Sequence, residues 1–180
     1  MAAAALGAFG MLAVVSRRPQ DHVAPIEHVP SFGALPAGGL LPTAEAMARI
    51  EDELALVEQY SRPLCLAMLG VEPLREDDPG DLIDGVARLL AGGLRRHDVL
   101  GVRGPAELLL MLPETEVAFG KAAVDRLRER AAGLAHLRVA MVTPTGRESL
   151  RELLIELDSG LAACRSMGID FGDPARLLAR

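Results

Sequence analysis

The chain has 180 residues, half of them hydrophobic, and a net charge of −6 at pH 7. This length suits one domain with a sizeable core and some chain to spare, and the acidic balance argues against a general nucleic-acid binder. Two isolated cysteines, Cys65 and Cys164, occur without a Cys-x-x-Cys pair or a His/Cys cluster. They argue against a structural zinc and favour a reducing compartment.

The beginning of the chain differs in composition from the rest. Residues 1–18 contain the apolar run AAAALGAFGMLAVV and end in Arg17 and Arg18. The run is shorter than the roughly 17–25 residues of a spanning helix. It is interpreted either as part of an inner-membrane anchor that leaves the following chain in the cytoplasm or as an alanine-rich helix that packs on the domain or on a partner. Residues 19–39, rich in Pro and Gly, are predicted to be a linker, so the folded domain is expected over residues 40–180.

From residue 40 onward, helix and strand patterns alternate. Apolar residues three and four apart predict a helix in TAEAMARIEDELALVEQYS, followed by a buried strand in PLCLAMLGV and an acidic loop in EPLREDDPGD. Next come a helix in LIDGVARLLAGGLRR, then two strands, DVLGV and LLLMLP, joined as a hairpin by RGPAE. The remaining elements are a helix in TEVAFGKAAVDRLRERAAGL, a strand in LRVAMVTP and a helix in SLRELLIELDSGLAACRSMG.

The order αβαββαβα predicts an α+β domain with a ferredoxin-like core, in which a mainly antiparallel sheet carries helices on one face. Its strands should include Leu64–Leu69 and Leu108–Leu112, both in the same sheet. The helices around Ile50, Val86 and Leu127 should bury them.

Four strings, in the right order and at about the right spacing, resemble the motifs of a GGDEF domain, the fold of diguanylate cyclases. GGLLPTAEAM resembles the opening motif of the family, and RPLCLAMLGVEPLR resembles its first strand. GPAELLLMLPET stands where the family has its Gly-Gly-Asp/Glu-Glu-Phe turn and the following strand. LDSGLAACRSMG resembles the last helix, usually Ala-Asp-x-Ala-Leu-Tyr-x-Ala-Lys-x-x-Gly. The resemblance covers roughly Leu35 to Gly168 and implies a GGDEF, nucleotidyl cyclase-like fold.

The resemblance also implies where the catalytic residues of a cyclase would lie. One metal-binding carboxylate of the family falls at Gly70 and another, the third residue of the turn, at Ala106. The turn begins at Gly104, and its second glycine is replaced by Pro105, which lacks an N–H. Only Glu107 retains a carboxylate. Because Mg²⁺ takes oxygen ligands and phosphoryl transfer depends on its charge, these replacements predict a degenerate active site with no metal, no cofactor and no cyclase activity.

An Arg-x-x-Asp pair, Arg95 and Asp98, ends five residues before the turn. In many GGDEF domains this motif forms the inhibitory site for the product cyclic di-GMP, and the secondary arginine of that site falls here at Arg126. An Arg fork suits the O6 and N7 atoms of guanine, and a carboxylate suits its N1–H and N2–H₂ donors. Arg96 and Arg103 lie close enough in sequence to assist. We expect both motif residues at an exposed helix end.

The sequence therefore predicts a catalytically inactive GGDEF domain that acts as a cyclic di-GMP receptor. A protein partner or a second copy of the chain is expected beside the nucleotide, with membrane contact through residues 1–18 if these form an anchor, and with no DNA or RNA. Two alternatives stay open. One is a nucleotide-free scaffold that works through protein contacts, and the other is a weakly active diguanylate cyclase.

Overall fold

The computed structural model describes residues 40–74 and 79–174. The apolar segment 1–18, the linker 19–39 and residues 75–78 of the predicted acidic loop lie outside the described residues. The predictions made for these segments therefore remain predictions. Within the described ranges, no helix is both long and apolar enough to cross a membrane.

The predicted order of helices and strands is confirmed over the described chain. The helices are α1 (Thr43–Tyr60), α2 (Pro79–Ala91), α3 (Val117–Ala131) and α4 (Leu150–Met167). The strands are β1 (Leu64–Pro73), β2 (Val99–Gly104), β3 (Glu107–Pro113), β4 (Ala135–Val142) and β5 (Phe171–Gly172). The two-residue strand β5 follows α4 and was not predicted, because two residues are too short to produce a periodic pattern.

The strands form one five-stranded sheet in the order β2-β3-β1-β4-β5. Neighbouring strands are antiparallel except for β5, which is parallel to β4. In the pair formed by β1 and β3, Leu64 lies opposite Pro113 and Leu69 lies opposite Leu108. The predicted α+β fold with a mainly antiparallel sheet is therefore confirmed, as is the prediction that these two strands lie in one sheet.

The prediction that the helices cover one face of the sheet was wrong. Alternate residues of β1 belong to two separate cores: Leu66 and Met68 pack with α1 and α4, whereas Cys65 and Leu69 pack with α2 and α3. A strand buried on both faces is apolar throughout rather than alternating, and β1 has this pattern in LCLAMLGV. The helices predicted to bury the strands do so, since Ile50, Val86 and Leu127 are fully or almost fully buried.

A glycine in β2 allows α1 to pack close to the edge of the sheet. A Cβ atom at Gly101 would collide with the Cβ of Ala46 in α1. Leu41, just before α1, runs parallel to Gly101 along β2, and its amide donates to the Leu100 carbonyl at 2.8 Å. Leu41 thereby pairs with the outer backbone of β2 at Leu100 and Val102, which protects this part of the edge from other strands.

The ends of two helices position the residues that concern function. Helix α2 ends at Ala91, because Gly92 and Gly93 form a turn in which the Gly93 amide donates to the Leu90 carbonyl at 2.8 Å. Arg95 and Arg96, predicted as the end of this helix, therefore lie in the connection between α2 and β2.

Helix α4 has a well-defined beginning and end. It begins with a capping box in which the Ser149 side chain accepts from the Glu152 amide and the Ser149 amide donates to the Glu152 carboxylate. It ends at Gly168, whose φ of 66° is in the left-handed region that favours glycine. The last turn of α4 carries Arg165.

Candidate functional site

The structure brings three of the predicted site residues to one small cavity. Arg95 and Asp98 from the connection before β2 and Arg126 from α3 line it, together with Gly93 at the end of α2. Its volume is about 20 Å³, which is enough for one water-sized group. A larger ligand would have to lie across the mouth of the cavity, with the guanidinium groups around it.

The sequence predicted that Asp98 lies at an exposed helix end, and this was wrong. Asp98 is buried, with only 6% of its surface accessible. Its Oδ2 atom accepts a hydrogen bond from the Arg95 amide at 2.7 Å, and the Asp98 amide donates to the Arg95 carbonyl at 3.1 Å. No further hydrogen bond to this carboxylate occurs within the described chain. Asp98 therefore caps the turn before β2 and keeps one oxygen atom for another donor.

Burial changes the acidity of this carboxyl group. The pKa of Asp98 is raised above its usual value because removal from water disfavours the charged form. The hydrogen bond from the Arg95 amide and the positive charges of Arg95 and His97 act in the opposite direction and only partly offset this effect. A ligand that donates hydrogen bonds to Asp98 would favour its ionised form.

The arginines around the cavity are without ion pairs, as are Arg88, Arg147 and Arg151 elsewhere in the described chain. The side chains of Arg95, Arg96 and Arg126 are exposed and make no ion pair within the described residues. Arg103, in contrast, lies about 16 Å further along β2, and its Nη2 atom is 3.4 Å from Asp158 Oδ2 of α4. The structure therefore does not bring Arg103 to the cavity, although the sequence distance suggested that it would assist there.

The hairpin turn lies at the other end of β2. Pro105 at its tip is exposed, whereas Gly104, Ala106 and Glu107 are half-buried. The Ala106 carbonyl accepts a hydrogen bond from the Val71 amide at 2.8 Å, which ties the turn to β1. The register of the sheet then places Gly70 opposite Glu107.

Two side chains of α4 cover Gly70. A Cβ atom at this position would lie 3.0 Å from Arg165 Nη2 and 3.2 Å from Leu161 Cδ1. Arg165 also pairs with the turn, since its Nη1 atom is 3.1 Å from Glu107 Oε1. A guanidinium group therefore lies beside the single carboxylate of the turn and above the glycine of β1.

The functional importance of α4 in this region was not predicted from the sequence, although the family pattern contained a signal. In LDSGLAACRSMG, Asp158 and Arg165 stand at the Asp and Lys positions of the pattern. These two residues form the ion pairs with Arg103 and Glu107 that connect α4 to the hairpin. A motif position indicates that a charge is present, but only the packing of α4 against the hairpin identifies its partner.

The residues around the turn do not fit a pair of divalent cations. Glu107 is the single carboxylate among the positions predicted as degenerate, and it already contacts Arg165. In the part of the chain that the structure describes, no three His, Cys, Asp or Glu side chains are grouped to hold a metal ion. Hard cations such as Mg²⁺ require several oxygen ligands.

A larger cavity of about 420 Å³ lies between α3 and β4 and contains none of the predicted site residues. Asp170 is its main polar group, and it accepts from Arg128 Nη2 at 2.6 Å and from His136 Nε2 at 2.9 Å. These contacts hold the segment before β5 against the sheet. The polar groups that line this cavity are thus largely committed to one another.

Known proteins are similar to this chain in structure. The chain matches no protein-family model and no curated protein sequence. Diguanylate cyclase SiaD from Pseudomonas aeruginosa, solved with its activator SiaC, is 20% identical, with a TM-score of 0.68 over 76% of this chain; the match covers 59% of SiaD. The GGDEF domain of DgcB from Caulobacter crescentus, solved with cyclic di-GMP, is 14% identical, with a TM-score of 0.62 over 75% of this chain and 89% of that domain. The FimX GGDEF domain from Pseudomonas aeruginosa is 14% identical, with a TM-score of 0.63 over 76% of this chain and 95% of that domain.

These matches establish a GGDEF-like fold for the described part of the chain. The predicted fold class is therefore confirmed. At identities of 20% or less, the similarity concerns the fold alone.

Proposed function

We propose that this chain is a catalytically inactive GGDEF-fold domain that binds cyclic di-GMP through Arg95, Asp98 and Arg126. The observation that carries the proposal is their convergence on one cavity from two separate elements. In this proposal the guanidinium groups contact phosphate or the O6 and N7 edge of guanine. The remaining oxygen of Asp98 accepts from guanine N1–H or N2–H₂.

The charges around the cavity support this assignment. The chain is acidic overall, yet the arginine side chains here make no ion pair with the described residues. Each hydrogen bond to a charged group contributes about 1.5–3 kcal/mol. Three such contacts total about 4.5–9 kcal/mol, and the upper part of this range, before the cost of association, corresponds to micromolar binding. Arg96 is exposed beside Arg95 and is a further candidate for a phosphate contact, whereas Arg103 is left out because Asp158 holds it elsewhere.

The absence of catalysis is supported by the turn and by α4. A cyclase must hold the GTP triphosphate on metal ions, and Gly70 and Ala106 supply no ligand for them. The one carboxylate left at the turn, Glu107, is paired with Arg165, and Gly70 opposite it has no side chain to offer. No general acid or base replaces the charge of the metal ions.

A calorimetric titration of the 180-residue chain with cyclic di-GMP tests the binding. We expect saturable binding in the micromolar range or tighter. A lack of binding at high micromolar ligand would leave the nucleotide-free scaffold as the better description. The exposed apolar side chains at the start of α3, Val117 and Phe119, would then be the first place to seek a protein contact.

Incubation with GTP and Mg²⁺ or Mn²⁺ tests the lack of catalysis. We expect no cyclic di-GMP above a control without protein. Turnover that disappears in Glu107→Ala would instead establish the weakly active cyclase.

The proposed membrane contact concerns residues 1–18 and is tested separately, by comparing the full chain with a variant that lacks them in a membrane flotation assay.

A further inference from the structure

A further arginine extends the cavity site along α3. Arg130 lies one helical turn beyond Arg126, and both are on the exposed side of the helix. Like Arg126, it makes no ion pair with the described residues. Two positive side chains four residues apart on a helix repel each other. Their proximity therefore has an energetic cost, which an anion bound between the two guanidinium groups would remove.

The Arg130 side chain lies over two glycines, Gly92 and Gly93, close to the cavity. A Cβ atom at Gly92 would lie 3.2 Å from Arg130 Nη2, and one at Gly93 would lie 3.3 Å from Arg130 Cδ and 3.4 Å from its Nε. The side chain thus extends across the turn at the end of α2, from Gly93 toward Gly92. Gly93 itself lines the cavity. Arg130 and Arg126 therefore flank the same exposed surface.

We propose that Arg130 is a third guanidinium group of this site, seated on the Gly92–Gly93 turn, and that the site is built for a ligand with two separated anionic groups. The inference rests on the proposed function and specifies its ligand class. A cyclic dinucleotide carries two phosphates, and one of them would lie near Arg126 and the cavity while the other reaches Arg130. A mononucleotide with its single phosphate engages only one end of this surface.

The ordinary alternative for Arg130 is a structural role. The end of α2 carries a partial negative charge, which attracts any cation. A structural cation would be replaceable by lysine and would affect folding rather than binding. A binding arginine would be only partly replaceable, because lysine keeps the charge but loses the planar fork that contacts phosphate in two places.

The experiment is a calorimetric titration at one fixed salt concentration with cyclic di-GMP and, separately, with 5′-GMP. The parent chain is compared with Arg130→Ala, Arg130→Lys and Arg151→Ala, the last being an exposed arginine in the first turn of α4 that serves as a charge-matched control. We expect Arg130→Ala to weaken cyclic di-GMP binding at least about tenfold and Arg130→Lys to weaken it less. The control should bind like the parent. The affinity for 5′-GMP should change less than that for cyclic di-GMP, so the preference for the dinucleotide should fall.

A second variant moves Arg130 without changing the net charge. In Gly92→Ala, the new methyl group would lie 3.2 Å from Arg130 Nη2, which should displace the guanidinium group and weaken dinucleotide binding. Gly92 does not itself line the cavity. Thermal unfolding of every variant without ligand identifies any loss of folding. If the parent binds and both Arg130→Ala and Gly92→Ala bind within twofold of it, the inference on Arg130 is wrong while the proposed function stands. If the parent itself does not bind, both are wrong.

Discussion

Asp98 accepts a hydrogen bond from the main-chain amide of Arg95, at 2.7 Å, so the two residues of the Arg-x-x-Asp motif are joined through the backbone and not through their charges. The guanidinium group of Arg95 makes no ion pair within the described residues. In this arrangement the carboxylate shapes the turn and the arginine side chain faces solvent. The two residues should therefore respond differently to substitution.

Arg95→Ala and Arg126→Ala should each weaken cyclic di-GMP binding at least about tenfold, because each removes a charge-assisted contact of about 1.5–3 kcal/mol. Their midpoints of thermal unfolding should stay close to that of the parent, since both side chains are exposed and without ion pairs. Calorimetry and thermal unfolding on the same preparations measure both effects. Arg151→Ala is the matched control, and wild-type affinity in both site variants would contradict the assignment.

Asp98→Ala should destabilise the domain as well as impair binding. It removes the acceptor of the Arg95 amide, and loss of a partner at a partly buried donor costs about 1–3 kcal/mol. Asp98→Asn retains an oxygen acceptor and should keep most of the stability, yet it loses the charge that contacts guanine donors. Urea unfolding separates the two variants. Equal stability of Ala and Asn would indicate that the hydrogen bond contributes little to the turn.

Glu53 provides a prediction about pH. This residue of α1 is 95% buried, and burial raises the pKa of its carboxyl group, with Glu114 adding to the shift and Arg62 and His97 opposing it. Because the folded pKa exceeds the unfolded pKa, the contribution of Glu53 to stability is fully present at low pH and decreases as pH rises through the folded pKa.

Glu53→Gln removes this titration. The free energy of unfolding of Glu53→Gln relative to the parent should therefore increase with pH above the ordinary carboxyl range and then level off. Urea unfolding between about pH 4 and pH 8 measures this difference. Glu51→Gln, an exposed neighbour on the same helix, controls for the change in net charge. A difference that falls as pH rises would contradict the direction of the shift.

Ser149→Ala should lower the free energy of unfolding by about 0.5–2 kcal/mol, because it removes the side chain that accepts from the Glu152 amide at the start of α4. Ser159→Ala, in the middle of the same helix, is the control. Its hydroxyl bonds only to the Ile155 carbonyl one turn before, so its loss should change stability by less than about 0.5 kcal/mol. Urea unfolding of the two variants should therefore differ clearly, and equal stabilities would argue against the capping box.

The sequence by itself determined the element order and the presence of the two central strands in one sheet. Strand β1 is visible in the sequence as a continuous apolar run, and the turn at Pro105–Ala106 is visible through the backbone preferences of its residues. Both signals can be recognised in the sequence without knowledge of distant contacts. The position of Arg95 and Asp98 relative to the turn was also available from the sequence. The same holds for the replacements at Gly70 and Ala106, which are matters of residue identity.

The tertiary structure alone decided which charges meet. Arg103 was expected to assist because it is close to Asp98 in sequence, and Arg126 was assigned to the site by the family resemblance. The packing of α4 against the hairpin joins Arg103 to Asp158, whereas α3 carries Arg126 to the cavity. Arg165 covers Gly70 across almost a hundred residues of chain. Asp98 is buried beside α3 in the folded domain, although the local sequence pattern placed it at an exposed helix end. Contacts of this kind depend on how distant elements pack against each other, and side-chain periodicity carries no information about that.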